Sequence, residues 1–188
     1  MWQGEIPRAH GALRTAFALT VTSLNHHDSV GLFPFSDELR IAMRPRNGRA
    51  RTTRIADALS KLVPGGETDF QGSLGKLGRM GLRPGLLVVI SDFFDPKGIQ
   101  AITESLGKQR HRLLLVQLYR QSDADPTLQG DVLLRDCESG QEHDISITGD
   151  VISAYKRAYQ DFEERLSEFA MSRQAGLCLL YTSDAADE

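Results

Sequence analysis

The sequence is short of cysteine, of charge of one sign and of long apolar runs, and each shortage narrows what the chain can be. Only two cysteines, Cys137 and Cys178, occur in 188 residues. They provide neither a disulfide framework nor a zinc-ligand spacing, so a reducing, cytoplasmic setting is expected. A formal charge of −3 gives no global pull toward nucleic acid or an anionic membrane. No apolar stretch approaches the roughly 20 residues that a membrane-spanning helix needs, and no signal-peptide pattern opens the chain. Internal repeats, low-complexity tracts and interdomain linkers are absent too, which points to one domain. What is present is ordinary for a globular chain, with 40% apolar and 25% charged residues, and this length suffices to bury a core.

Both ends are unusual. Met1-Trp2-Gln3-Gly4-Glu5-Ile6-Pro7 leads directly into a helical pattern, with no strand ahead of it. At the other end, Cys178-Leu179-Leu180-Tyr181-Thr182-Ser183-Asp184-Ala185-Ala186-Asp187-Glu188 resembles a translated sequencing adapter. Residues 178–188 are therefore set apart as a tail, and residues 1–177 are taken as the domain.

Within the domain, Ile6, Leu13, Phe17, Val21 and Leu24 fall at helical spacing and stop at Asn25-His26-His27-Asp28. Ser29–Phe35 reads as a short apolar strand, and Leu39–Met43 alternates as an edge strand would. Arg44–Gly48 reads as loop. Ile55, Leu59 and Leu62 mark a second helix, closed by Pro64-Gly65-Gly66. Phe70, Leu74, Leu77 and Met80 mark a third, with Thr68 or Asp69 as N-cap. Leu86–Ile90 is five consecutive apolar residues, the habit of a central parallel strand buried on both faces. Pro96 suits the first position of the next helix, whose inner stripe is Ile99, Ile102 and Leu106. Arg112–Leu118 is another buried strand. Val132–Arg135 and His143–Ile147 then flank Cys137-Glu138-Ser139-Gly140 as a β-hairpin. A long amphipathic helix follows, with Val151, Tyr155, Tyr159, Phe162, Leu166 and Phe169 on one face, closed by Gly176. Alternating strands and helices predict an α/β sheet covered on both faces.

Two loops stand where such folds bind ligands, past the carboxyl ends of strands or at helix N-termini. One is Pro64-Gly65-Gly66-Glu67-Thr68-Asp69-Phe70, and the other is Ser91-Asp92-Phe93-Phe94-Asp95. The Thr68 hydroxyl and the Asp92 carboxylate are hard oxygen ligands of the kind Mg²⁺ accepts. The plainer reading makes Thr68 an N-cap and Asp92 a turn residue.

The run from Ser29–Phe35 through Gly66-Glu67-Thr68-Asp69 to Val88-Val89-Ile90-Ser91-Asp92-Phe93 resembles the von Willebrand factor A-like proteins of the domain-of-unknown-function 58 family. Leu134-Arg135-Asp136-Cys137-Glu138-Ser139-Gly140 is similar to that family's hairpin signature. The resemblance implies a Rossmann-like von Willebrand factor A-type sheet whose first central strand is missing here. It also implies a metal-ion-dependent adhesion site in which Thr68 is the second part and Asp92 the third. The first part, an Asp-x-Ser-x-Ser run, does not occur in this sequence, so Mg²⁺ or another divalent cation is expected only in a longer parent. The two strands flanking the gap, Ser29–Phe35 and Leu86–Ile90, are expected not to pair with each other. The implied function is a non-catalytic protein-binding module, with a MoxR-type AAA+ ATPase as the implied partner.

The competing class is an enzyme using Asp92 as a nucleophile, such as a phosphohydrolase. A haloacid-dehalogenase-like phosphatase wants a second aspartate two residues on, where Phe94 stands. A receiver domain wants a lysine after a later strand, where Leu118 is followed by Tyr119-Arg120. No Ser/His/Asp or Cys/His set has motif context. Arg40, Arg44, Arg46, Arg49, Arg51 and Arg54 form a local basic cluster suited to phosphates or an acidic partner, or simply to solvent. His26-His27 lacks a third metal ligand, and Tyr155, Tyr159 and Phe162 read as core.

Overall fold

The first helical pattern folds as α1 (Ile6–Asn25). In the computed structural model, which describes residues 6–63, 65–136 and 140–182, it ends at the polar stop. His27 takes φ 63°, the Asp28 amide donates to the Ser23 carbonyl, and the His27 amide donates to Leu24. This left-handed cap satisfies carbonyls that the last turn leaves open, so the two histidines terminate a helix.

β1 (Val30–Leu32) pairs antiparallel with β2 (Met43–Arg46), in a register that slips between Val30 and Leu32. The edge strand expected at Leu39–Met43 therefore begins at Met43 and runs through residues expected as loop. Pro45 is accommodated because β2 has only one hydrogen-bonded neighbour, so its missing N–H leaves no ladder bond unmade. Leu39 bridges Phe35 instead. A 3-10 turn at Arg49–Arg51 leads into α2 (Thr52–Ser60), which buries Ile55 and Leu59. These two residues and Leu24 form a small core with Phe17, Val30, Leu32 and Met43 around it.

The larger core is built on a parallel sheet. α3 (Phe70–Arg79), with Asp69 at its N-cap, precedes β3 (Leu86–Ser91). α4 (Gly98–Gly107) and β4 (Arg112–Tyr119) follow. The short helix α5 (Gln121–Ala124) leads to the antiparallel hairpin of β5 (Gly130–Arg135) and β6 (Glu142–Ile147). The hairpin's expected turn residues Cys137, Glu138 and Ser139 lie outside the described residues. α6 (Gly149–Ser172) then returns across the sheet to β7 (Gly176–Tyr181). The sheet order is β3-β4-β7, all parallel. Val89, Leu113 and Leu115 meet Phe70, Leu74 and Leu77 of α3, Ile102 and Leu106 of α4, and Leu166 and Ala170 of α6. α1 touches β3 and β4 but contributes nothing to that cluster, so helices lie on both faces.

Three expectations are corrected. First, β3 is not buried on both faces: Leu86 is 61% exposed and only Val89 is buried, and the strand has a partner on one side only, as expected of a strand beside the missing one. β4, with a partner on each side, is the buried centre. Five apolar residues in a row were thus no measure of two-sided pairing. Second, α4 starts at Gly98 instead of Pro96. The Asp95 carboxylate accepts the Lys97 amide at 2.8 Å, and the Asp95 carbonyl accepts the Gly98 amide at 2.8 Å, making a turn first. Third, Gly176 does not end α6. Gln174 does so at φ 50°, with the Ala175 amide on the Ala170 carbonyl. Gly176 instead lets β7 approach β4, because a Cβ there would lie 2.8 Å from Leu114 Cδ1. The boundary drawn between residues 177 and 178 lies within β7, where Leu177 pairs with Leu115 and Tyr181 with Tyr119. Leu177, Leu179, Leu180 and Tyr181 suit a pleated surface, and the open side of β4 supplies backbone partners. As expected, β1 and β3 lie in different sheets and do not pair.

Candidate functional site

The carboxyl ends of β3 and β4 gather the acidic groups. β3 stops at Ser91, whose hydroxyl accepts the Phe93 amide at 3.0 Å. Phe93 is fully buried at φ 60°, a backbone region costly for a bulky residue. That kink turns the chain so that Asp92 Oδ1 accepts the Phe94 amide at 3.2 Å, leaving Oδ2 toward α1. On the neighbouring strand, α5 places Asp123 one turn beyond β4, where one carboxylate oxygen accepts the Arg120 amide at 3.2 Å. Tyr155 of α6 donates its hydroxyl to the Asp123 carbonyl at 2.7 Å.

Between the two carboxylates lies Arg8, from the start of α1. Its Nη1 donates to Asp92 Oδ2 at 2.9 Å, and its Nη2 donates to Asp123 Oδ1. The side chains of Arg8, Asp92 and Asp123 are 21%, 31% and 15% exposed, so the triad is sheltered but open to solvent on one side. One guanidinium fork therefore joins three separate elements by charge-assisted bonds.

The expected loop that carries Thr68 and Asp69 lies alongside. The Phe70 amide donates to Asp95 Oδ2 at 3.1 Å, and Lys97 Nζ pairs with Asp69 Oδ1 at 2.8 Å. The Asp69 amide also donates to the Ser36 carbonyl at 2.9 Å, anchoring the segment after β1. The loop carrying Thr68 is thus stitched to the loop carrying Asp92. Lys97 above all, then the Gly72 amide, holds the Asp69 carboxyl below its usual range, and Asp69 in turn raises the Lys97 ammonium. Thr68 is half-buried and already engaged in an interaction.

These residues do not fit a divalent cation as they stand. Asp92 is neutralised by Arg8, and among the described residues no three His, Cys, Asp or Glu side chains are grouped to hold a metal. What the site does hold is one positive charge between two carboxylates. Beside it runs an aromatic row. Phe94 packs on Phe162 at 5.1 Å and on Tyr159 at 6.3 Å, and Tyr155 stacks on Tyr159. Burial, then the negative charges of Glu163 and Asp123, pushes the Tyr159 phenol well above its ordinary value, so it stays neutral. Tyr155, expected in the core, is 41% exposed. Arg8, Asp123 and Phe94 were not anticipated from sequence. Asp123 follows a parallel strand just as Asp92 does, so the same rule locates it. Arg8 carried no local signal.

Comparison with known families matches residues 4–165 to the family described as protein of unknown function DUF58. No curated protein sequence matches. Among solved structures, the conserved hypothetical protein BatB from Bacteroides thetaiotaomicron is similar at a TM-score of 0.51 and 13% identity, over 93% of this chain and 82% of that one. An aerotolerance-related membrane protein from Bacteroides fragilis, carrying multiple mutations to serine, gives a TM-score of 0.41 at 11% identity, over 83% of this chain and 88% of that one. At such identities the BatB likeness speaks for the fold alone. No helix among the described residues is long and apolar enough to cross a membrane.

Proposed function

This chain belongs to the DUF58 family, and from that premise we propose that it is a non-catalytic protein-binding module of the von Willebrand factor A type, docking a partner at the carboxyl edge of its parallel sheet. The observation that carries the reading is the Arg8 guanidinium held between Asp92 and Asp123. Arg8 is shared by two carboxylates, so the edge keeps one net negative charge in a fixed place, which suits a basic side chain of the partner. A divalent cation belongs to the same reading in a longer parent that brings further oxygen ligands to Thr68 and Asp92, and there a partner carboxylate would complete its coordination. In the present chain Arg8 orients the two carboxylates. A MoxR-type AAA+ ATPase is the proposed partner, on the strength of the family resemblance.

Biolayer interferometry with an immobilised MoxR-type ATPase tests the docking. The expected result is binding that falls at least about tenfold in Arg8→Ala, because Asp92 and Asp123 lose the guanidinium that holds them in place. Equal binding by the wild type and a folded Arg8→Ala variant refutes the site. Calorimetric titration with magnesium chloride should give no binding to this chain. Phosphatase turnover abolished by Asp92→Asn would replace docking with hydrolysis.

A further inference from the structure

The stretch from Arg40 to Arg54 contains six arginines, no lysine, no aspartate or glutamate and no aromatic residue. The structure divides these arginines by task. Arg51 is part of the fold: its Nη1 donates to the carbonyls of Val30 at 3.2 Å and Arg46 at 2.6 Å, and its Nη2 donates to that of Arg44 at 3.2 Å. Arg49 reaches the Asn25 carbonyl at 3.3 Å. Arg40 lies near Asp37. Arg44, Arg46 and Arg54 are exposed, and among the described residues their side chains make no hydrogen bond or ion pair. Arg44 and Arg46 flank Pro45 in β2 at the point where the register slips, so both side chains are presented at the exposed edge of the ribbon while Met43 packs into the smaller core.

We propose that this β1–β2 ribbon is a docking surface for a short acidic segment, rich in aspartate or glutamate, of a partner protein. The proposal is independent of the Arg8 site, which lies on other elements. Charge complementarity carries it. Arginine forks match carboxylates in a bidentate way that lysine does not. Arg51 fastens the backbone that presents Arg44 and Arg46, so the ribbon is held rigid before a ligand arrives, which lowers the cost of binding.

Longer polyanions fit less well. Six positive charges sit here, yet the chain totals −3, so everything outside the stretch is net −9. A nucleic-acid duplex or an anionic membrane extends far beyond the Debye length of about 8 Å at physiological salt and would meet that repulsion. A peptide of a few residues stays within the ribbon's own field. The absence of aromatic residues also leaves no platform for stacking bases.

The test is fluorescence anisotropy of a short labelled oligoglutamate peptide titrated with the whole chain. At physiological ionic strength, where the Debye length is about 8 Å, the wild type should bind. The double reversal Arg44→Glu, Arg46→Glu should weaken binding at least about tenfold, while Arg83→Glu, Arg110→Glu, with the same change in net charge, should alter it by less than about threefold. Circular dichroism confirms that each variant folds, and Arg54→Glu serves if the first reversal does not. Undetectable binding by the wild type, equal weakening in the two double reversals, or tighter binding to duplex DNA or phosphatidylserine vesicles of matched charge would overturn the proposal.

Discussion

Replacing Arg8 with alanine should cost the fold about 2–3 kcal/mol. The figure follows from exposure. A solvent-exposed ion pair contributes about 0–1 kcal/mol, and breaking a fully buried one costs about 3–5 kcal/mol by leaving a charge without its partner. At 15% exposed, Asp123 lies near the buried end of that range, while Asp92 at 31% lies nearer the surface end. The Asp123 arm should therefore account for about 2 kcal/mol and the Asp92 arm for about 1 kcal/mol or less. They will not add fully, because both arms share one guanidinium. Urea unfolding followed by circular dichroism measures the loss, and a loss of about 2 kcal/mol lowers the midpoint temperature by about 4–8 °C in a chain of this size. The order of severity should be Arg8→Ala, then Asp123→Asn, then Asp92→Asn. A double-mutant cycle between Arg8 and Asp123 isolates their interaction, which should exceed about 1 kcal/mol. A cycle that closes at zero, or an Asp92→Asn variant less stable than Asp123→Asn, would refute the exposure argument.

Three further outcomes follow from the packing and the ion pairs. Gly31→Ala should destabilise by about 1–3 kcal/mol in thermal unfolding, since its Cβ would lie 2.7 Å from the Phe33 ring and 2.9 Å from the Pro45 ring; Pro45→Ala should recover part of the loss. Leu166→Ala, fully buried where α6 meets the sheet, should cost about 2–5 kcal/mol in urea unfolding. For Asp69, the folded carboxyl is held below its ordinary value, so its contribution is complete above the usual aspartate value of about 3.9 and vanishes as pH falls through the lower folded value. Asp69→Asn should therefore be less stable than wild type at neutral pH, with the gap closing only below about pH 4; a gap that persists in acid would show that the loss comes from packing.

Much of the fold was legible because period and punctuation agreed. Ile55 and Leu59, Ile102 and Leu106, and Leu166 all lie on faces that helical spacing marks out, and each is buried. The hairpin of β5 and β6 was legible for the same reason. The errors arise where a tertiary partner decides. Leu86–Ile90 has the composition of a central strand, yet whether a strand is central depends on what pairs beside it, which its own residues do not state. Gly176 looks like a helix stop, but its lack of a side chain serves the approach of β7 to Leu114. At the site, Asp92 and the loop of Thr68 were found through the rule that strand ends bind ligands. Arg8 was not, because nothing in Pro7-Arg8-Ala9 indicates that α1 delivers this guanidinium to two carboxylates more than eighty residues away in sequence.

The charge at the sheet's edge is hard to explain by stability alone. Asp92 and Asp123 each bond a different Nη of one guanidinium, so the two carboxylates are close enough to repel each other. At about 5 Å and an effective dielectric constant of about 20 such a repulsion is about 3 kcal/mol. Arg8 relieves the repulsion, but only after three ionised groups have been largely withdrawn from water. An apolar or amide replacement of the same shape would hold α1, β3 and α5 together at least as well, since sheltered ion clusters seldom outperform packed neutral side chains. The ring of contacts around the triad points the same way. Phe93 is held at a positive φ to set Asp92, and Tyr155 reaches across from α6 to fix the helix that bears Asp123. Strain and hydrogen bonds thus hold charge in a fixed orientation at one open face of the molecule, and that arrangement is what the proposed docking rests on.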